Sequence, residues 1–399
     1  MKKGVVIVNE KGVPFLKSGQ MWMFRNNLVS MKDCKEGDIA DVISEDGEYL
    51  GTGFVSEKSH IAVRILTHER NVEINDAFFE GKIREAYAFR KVTNRNNLSD
   101  MRLIFGDGDG MPGLTVDRYN GVLVTQIISS GMEKRKTELY SALLKVLRED
   151  GQVIEGIYER NDVKAREKEF LPLYKGFYGE FTCSTEQIIH ENGLKIYVDI
   201  EDGQKTGYFL DQKRNRLLIR EMAEGLRVCD CFSHTGGFAL NAAKGKAIHV
   251  DSVDVSATAL AQGKRNAQLN GLTNIDFVQA DVFEYLDEIH PDQYDLIILD
   301  PPAFTKSRKT VFKAYNGYKQ INKKAMEILK SNHGYLATCS CSRYMETALF
   351  EQMLKEASLE AGVELKQVSV TQQNSDHPIV WSMAETSYLK FYIFQVNPL

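Results

Sequence analysis

Four times between residues 227 and 304 an apolar run ends on an aspartate: Val228-Cys229-Asp230, Ser252-Val253-Asp254, Val278-Gln279-Ala280-Asp281 and Leu296-Ile297-Ile298-Leu299-Asp300. Short apolar runs alternating with helix-length segments predict a doubly wound parallel sheet. The strands expected are 227–231, 246–253, 275–279, 295–299 and 334–339. A C-terminal pair, 365–370 and 389–396, has no helix between its members and predicts an antiparallel hairpin at the sheet's edge. Ligands of such sheets sit beyond the carboxyl ends of the strands. One aspartate there reads as a turn residue or helix cap. Four in step point to a binding crevice.

The last of the four is held most firmly. Pro301-Pro302 stop the strand and stiffen the loop after Asp300, and Phe304 follows close enough to stack on a flat ring. The first aspartate limits the ligand. Asp230-Cys231-Phe232-Ser233-His234-Thr235-Gly236-Gly237 leads from a strand through a glycine loop into a helix, the usual nucleotide position, but it is not G-x-G-x-x-G. Asp230 stands where a dinucleotide's pyrophosphate would lie, and like charges repel. A cofactor with an ammonium and a sulfonium but no phosphate suits it, which is S-adenosylmethionine. Asp254 is placed to accept from both ribose hydroxyls and Asp281 from the adenine amine.

The 399 residues exceed what one core usually organises, so three domains are expected: 1–72, 73–190 and 191–399. The first reads as short strands at 5–8, 39–43, 51–55 and 60–65, a small barrel or sandwich. Within it Trp22, Phe24 and Arg25 suit stacking on RNA bases or filling a small core. The second begins with a helix at 75–93, with Phe78, Ile83, Tyr87 and Val92 along its apolar face and its arginines and lysines on a solvated one. Strands at 122–128 and 153–158 and a helix at 134–148 complete an α/β unit. The Gly/Asp cluster at 106–110 joins two strands; without a closing Glu it is no calcium loop. The opening lysines resemble a secretory leader, but Asn9, Glu10 and Lys11 break the apolar run. With no membrane span and six cysteines in no disulfide pattern, a cytoplasmic protein is expected. A net charge of −5 leaves room for a local RNA-binding patch.

In their order, Asp-x-Phe-x-x-Thr-Gly-Gly, Val-Asp-Val-Ser, Asp-Val-Phe and Asp-Pro-Pro resemble the class I S-adenosylmethionine methyltransferases. Gly203-Gln204-Lys205-Thr206-Gly207-Tyr208-Phe209-Leu210-Asp211-Gln212-Lys213-Arg214-Asn215-Arg216 narrows this to the bacterial large-subunit ribosomal RNA methyltransferases of the RlmI type. Pro112 to Tyr119 and Tyr158 to Asp162 resemble the same family, and residues 1–72 its PUA-like domain. The resemblance implies a Rossmann-like methyltransferase domain preceded by a β-rich PUA-like domain and a central α/β domain. Asp230, Phe232, Gly236, Gly237, Asp254, Asp281 and Asp300 would hold S-adenosylmethionine.

Carbon 5 of cytosine is a poor nucleophile, and a thiolate added at carbon 6 makes it an enamine that can take a methyl group. By analogy with the family's Ser-Cys-Ser segment, Cys341 is the nucleophile and Cys339 a strand residue. Asp300 would hold the ring nitrogen and exocyclic amine, and its proton would favour the addition. Ala303 stands where some RNA cytosine methyltransferases carry a second cysteine; the RlmI type lacks it as well. Lys205, Lys213, Arg214, Arg216, Lys306, Arg308 and Lys309 are candidates for phosphate contacts, with Phe304 or Tyr315 for base stacking. The Cys-x-Cys spacing disfavours a zinc site, and no metal is expected. The partner expected is large-subunit ribosomal RNA, with no membrane and a homodimer left open. Two rivals remain, a guanine ring- or amino-nitrogen methyltransferase and a non-catalytic RNA-binding assembly factor.

Overall fold

The computed structural model describes residues 4–305 and 307–399, so Lys306 lies outside the described residues. The chain packs as two units. One takes the chain up to Ile189 together with Val198–Leu210 and Ser375–Thr386; the other takes His190–Tyr197, Asp211–Asn374 and Ser387–Leu399.

The first unit opens with a six-stranded sheet in the spatial order Trp22–Phe24, Ile61–Thr67, Tyr49–Val55, Ile39–Ser44, Gly4–Val8, Leu28–Lys32. Four of these strands match the alternation in the sequence. The two it misses, Trp22–Phe24 and Leu28–Lys32, are short edge strands with few buried side chains, so alternation leaves little trace in them. Val6, Val8, Met23, Val42, Val63 and Ile65 fill the core. Trp22 is half-buried: its indole N–H donates to Asp107 at 2.8 Å and the Arg64 guanidinium lies over its ring.

A five-stranded sheet follows in the order Tyr174–Phe177, Gly156–Asn161, Val122–Ile127, Leu114–Tyr119, Asp100–Phe105. The helices Asp76–Thr93 and Lys136–Glu149 share its core. Asn75 caps the first of them by accepting from Phe78 N–H at 3.1 Å. The buried face of that helix differs from the one expected: Phe79, Ile83, Ala86 and Tyr87 face the core, Phe78 is half-buried and Val92 is 77% exposed. Arg90 is fully buried, because Asp109 takes its guanidinium through two oxygens and the carbonyls of Arg102 and Asp376 accept from it. An arginine satisfied on every side can occupy a core face that periodicity assigns to solvent.

The second unit carries the seven-stranded sheet: β1 (Arg227–Cys231), β2 (His249–Asp254), β3 (Ile275–Gln279), β4 (Leu296–Leu299), β5 (Tyr335–Ser340), β6 (Val363–Thr371) and β7 (Lys390–Pro398). Their order is β3-β2-β1-β4-β5-β7-β6, with β7 antiparallel to both neighbours and the other pairings parallel. The helices are α1 (Lys213–Met222), α2 (Gly237–Lys244), α3 (Ala257–Leu269), α4 (Val282–Glu288), α5 (Val311–Leu329) and α6 (Thr347–Ala361). Cys229, Cys231, Ile297 and Leu299 pack with α4, α5 and α6 in one core. The alternate residues Val228, Val250, Leu296 and Ile298 are equally buried, so both faces are covered, as a parallel sheet requires. The doubly wound, Rossmann-like sheet and its C-terminal edge hairpin are those read from the sequence. The chain order reverses between β1 and β4, and the crevice beyond their carboxyl ends is the expected site.

Candidate active site

Parallel register sets the geometry at that edge. Asp230 on β1 is level with Ser252 on β2 and Ile298 on β4, so Asp254 and Asp300 each emerge two residues further on. Leu299 is level with Thr338 on β5, which brings Asp300 level with Cys339. The Cys339 Sγ accordingly donates to Asp300 Oδ1 at 2.8 Å.

Asp230 is fully buried. Its Oδ2 accepts from the Ala239 N–H at 2.8 Å, near the start of α2, while Oδ1 is buried without a partner among the described residues. An unpaired buried carboxylate oxygen is costly unless something else satisfies it. Burial first, then the negative Asp300 and Asp254, push the Asp230 carboxyl well above the usual range. A ligand ammonium is the complement such a group needs, and the residues present fit S-adenosylmethionine on that ground. The loop beside it is strained, with Phe232 at φ 62°, His234 at 51° and Gly236 at 77°, all left-handed. Only the glycine adopts this freely, and strain of this kind is retained at ligand sites.

The other two carboxylates differ. Asp254 accepts from the His234 N–H and the Ser256 N–H, each at 2.8 Å, and so fastens the glycine loop to the end of β2; a carboxylate still has lone pairs for two hydroxyls. Asp281 is exposed and caps α4, with Oδ1 accepting from Phe283 N–H at 2.8 Å. Capping is therefore part of its work. Phe304 is half-buried with its ring 4.6 Å from Tyr318, and Phe232 and Phe283 stand about it at 6.4 and 6.3 Å. Tyr315, the other stacking candidate, is buried on α5 in the core and is withdrawn from that role.

A lowered pH separates these readings. Because the folded Asp230 carboxyl ionises above its ordinary pKa, binding a cation at Oδ1 releases a proton. Affinity for S-adenosylmethionine is expected to fall as pH drops from 7 to 5. Asp230→Asn should bind about 10-fold or more weakly at pH 7 with a flatter pH dependence, read by calorimetry. Equal slopes for the two proteins would refute the assignment.

Cys341 follows directly after β5 and is half-buried, whereas Cys339 within the strand is fully buried. Burial and then the Asp300 charge push the Cys339 thiol well up, which keeps it protonated and a donor. Two serines bracket Cys341. Ser340 Oγ donates to the Tyr318 hydroxyl at 3.0 Å, and that hydroxyl lies 3.2 Å from Ser342 Oγ, so α5 pins the turn. Tyr318 and Lys390, which also meets this turn, were missed in the sequence. A tyrosine on a core face and a lysine in a strand give no local signal of a site.

The basic residues separate into three groups. Arg214 and Arg308 are exposed. Lys205, also exposed, belongs to the first unit, its ammonium 4.5 Å from the Phe209 ring. Arg216 is a correction: it is 3% exposed, and its guanidinium forms two 2.6 Å bonds to Glu191, so it fastens α1 and cannot serve a phosphate. Arg216→Ala strands the Glu191 carboxylate and is expected to cost about 3–5 kcal/mol in denaturant unfolding. Arg214→Ala should leave stability within about 0.5 kcal/mol and weaken RNA binding with a reduced salt slope. Similar losses of stability in both would contradict the distinction.

Residues 176–391 match the model of a family described as S-adenosylmethionine-dependent methyltransferase, and residues 6–68 match a PUA-like domain. Two curated relatives are named ribosomal RNA large subunit methyltransferase I. That of Klebsiella pneumoniae (strain 342) is 37% identical over 94% of this chain and 94% of its own length. That of Shewanella amazonensis is 39% identical over 94% and 95%. Among solved structures, one from Streptococcus mutans assigned as a SAM-dependent methyltransferase has a TM-score of 0.82 at 23% identity and covers 98% of this chain and 99% of its own. Another structure, assigned as a methyltransferase and complexed with SAH, has a TM-score of 0.84 at 24% identity with the same coverage. At these identities the two structures speak for the fold.

Proposed function

We propose that this chain, which belongs to the S-adenosylmethionine-dependent methyltransferase family and to its ribosomal RNA large subunit methyltransferase I group, methylates carbon 5 of a cytidine through a covalent adduct on Cys341. S-adenosylmethionine-dependent methylation of large-subunit ribosomal RNA is the activity of the group. The cytosine chemistry is the finer reading, and the observation that carries it is the contrast between two thiols two residues apart. Cys339 is spent as a buried donor to Asp300, while Cys341 is only half-buried and follows directly after β5, two residues beyond the thiol that bonds Asp300.

The bound cofactor supplies an electrophilic methyl on a sulfonium. Asp230 would hold its ammonium, Asp254 its ribose and Asp281 its adenine amine, with Phe232, Gly236 and Gly237 shaping the pocket. The Cys341 thiolate adds to carbon 6 of the flipped base, forming an S–C bond and driving the ring electrons to carbon 5. Asp300 hydrogen-bonds the ring nitrogen and the exocyclic amine and compensates the charge that develops. After carbon 5 is methylated, a base takes its proton, the C–H electron pair restores the carbon 5–carbon 6 double bond and the S–C bond breaks, which returns the thiolate. Phe304 would stack on the base, and Arg214, Arg308, Lys205 and Lys306 would contact phosphates. The reading gives residues 1–72 to RNA capture, 73–190 to a central domain and 191–399 to catalysis. Among the described residues no helix is long and apolar enough to cross a membrane.

The test is to incubate the protein with S-adenosylmethionine and unmodified ribosomal RNA, digest the RNA and identify the nucleoside by mass spectrometry. 5-Methylcytidine is expected. A methylated guanosine would overturn the cytosine reading and leave the cofactor site standing; no product would favour a binding factor.

A further inference from the structure

Lys390 opens β7 opposite Ser340 of β5, one residue before Cys341. It is 6% exposed, an unusual place for an ammonium. Its Nζ donates to the Ser342 carbonyl at 2.8 Å and to the Tyr388 carbonyl on its own strand at 3.0 Å; with Ser340 paired to its backbone and Ser342 held by its side chain, Lys390 meets the turn on both sides of Cys341. Among the described residues no carboxylate forms an ion pair with it. Buried charges are normally paired, and two carbonyl dipoles are a partial substitute. Asp300 and Cys339 face the turn from the ends of β4 and β5, Tyr318 faces it from α5, and Glu346 precedes α6.

We propose that Lys390 is a positioning residue whose ammonium holds Cys341 as a thiolate, the anion that completes the buried pair. When the amine is neutral it takes the thiol proton: one S–H bond breaks, one N–H bond forms, and a thiolate–ammonium pair remains. Burial pulls the Lys390 ammonium down to about 8, and the negative charge of Cys341, then Cys339 and Glu346, pushes the other way. Below that value the group is an ammonium, and a positive charge beside the turn favours the thiolate over the thiol.

The inference rests on the reading of Cys341 as the nucleophile, and its test needs no RNA. Alkylation of the full chain by iodoacetamide is followed from pH 6 to 10 by the mass of the Cys341 peptide, which separates this thiol from the other five cysteines. In the wild type the midpoint should lie below the ordinary thiol value of about 8.5. Lys390→Met should raise it by about one unit and slow alkylation at pH 7 about 10-fold, and Lys390→Arg should restore most of the shift. A wild-type midpoint at or above the ordinary value would overturn the proposal even if a variant failed to fold. So would superimposed profiles, or slower alkylation with the midpoint unmoved, which marks a merely structural fastening. A wrong reading of the reaction would show instead in the nucleoside formed.

Discussion

Cys341→Ala is expected to make 5-methylcytidine at least about 1,000-fold more slowly than the wild type, with affinity for S-adenosylmethionine within about 2-fold. Without sulfur at that position nothing adds to carbon 6, and carbon 5 stays too weak a nucleophile to take the methyl group. Cys341→Ser should be nearly as inactive, since a hydroxyl is far harder to ionise than a thiol. Cys339→Ala is the informative contrast. It removes a donor to Asp300 and a little packing, and it should retain activity within about 10-fold. Single-turnover assays on all three separate the thiols; equal losses at positions 339 and 341 would contradict the assignment.

Asp300→Ala and Asp300→Asn should part in KM and kcat. Once it takes up a proton with the base bound, the Asp300 carboxyl donates to the ring nitrogen and accepts from the exocyclic amine, and an amide offers the same two contacts. The Asn variant should therefore keep KM for RNA within a few-fold. It cannot neutralise developing charge by giving up a proton, so kcat should fall about 100- to 10,000-fold. The Ala variant loses the contacts too and should raise KM as well. Steady-state kinetics at fixed cofactor measures both. An Asn variant with wild-type kcat would limit Asp300 to orientation.

The sheet was legible because its strands are short, buried on both faces and punctuated by acids. β1 and β3 fall where the apolar runs fall, and the edge hairpin betrayed itself by lacking a crossover helix. The glycine loop was legible because its residues break the dinucleotide pattern in a chemically interpretable way. What stayed hidden depends on contacts distant in sequence. Arg216 reads as one of a row of exposed charges, and only Glu191, 25 positions earlier, turns it into a buried fastening. Arg90 took a core position for the same reason, through Asp109 and the carbonyl of Asp376. Lys390 meets Cys341's turn only because β7 pairs with β5, a pairing that no local pattern encodes. Tyr318 reaches Ser340 and Ser342 across a crossover of the sheet.

The most direct measurement uses RNA in which the target cytidine carries fluorine at carbon 5. If Cys341 adds to carbon 6, methylation leaves a carbon 5 with no proton to remove, so the S–C bond cannot break. Wild-type protein with S-adenosylmethionine should then run with the RNA on a denaturing gel as a one-to-one adduct, with the nucleotide on the Cys341 peptide; Cys341→Ala should give none. Methylation of unmodified RNA at a normal rate without any adduct on the fluorinated RNA would contradict covalent catalysis at Cys341.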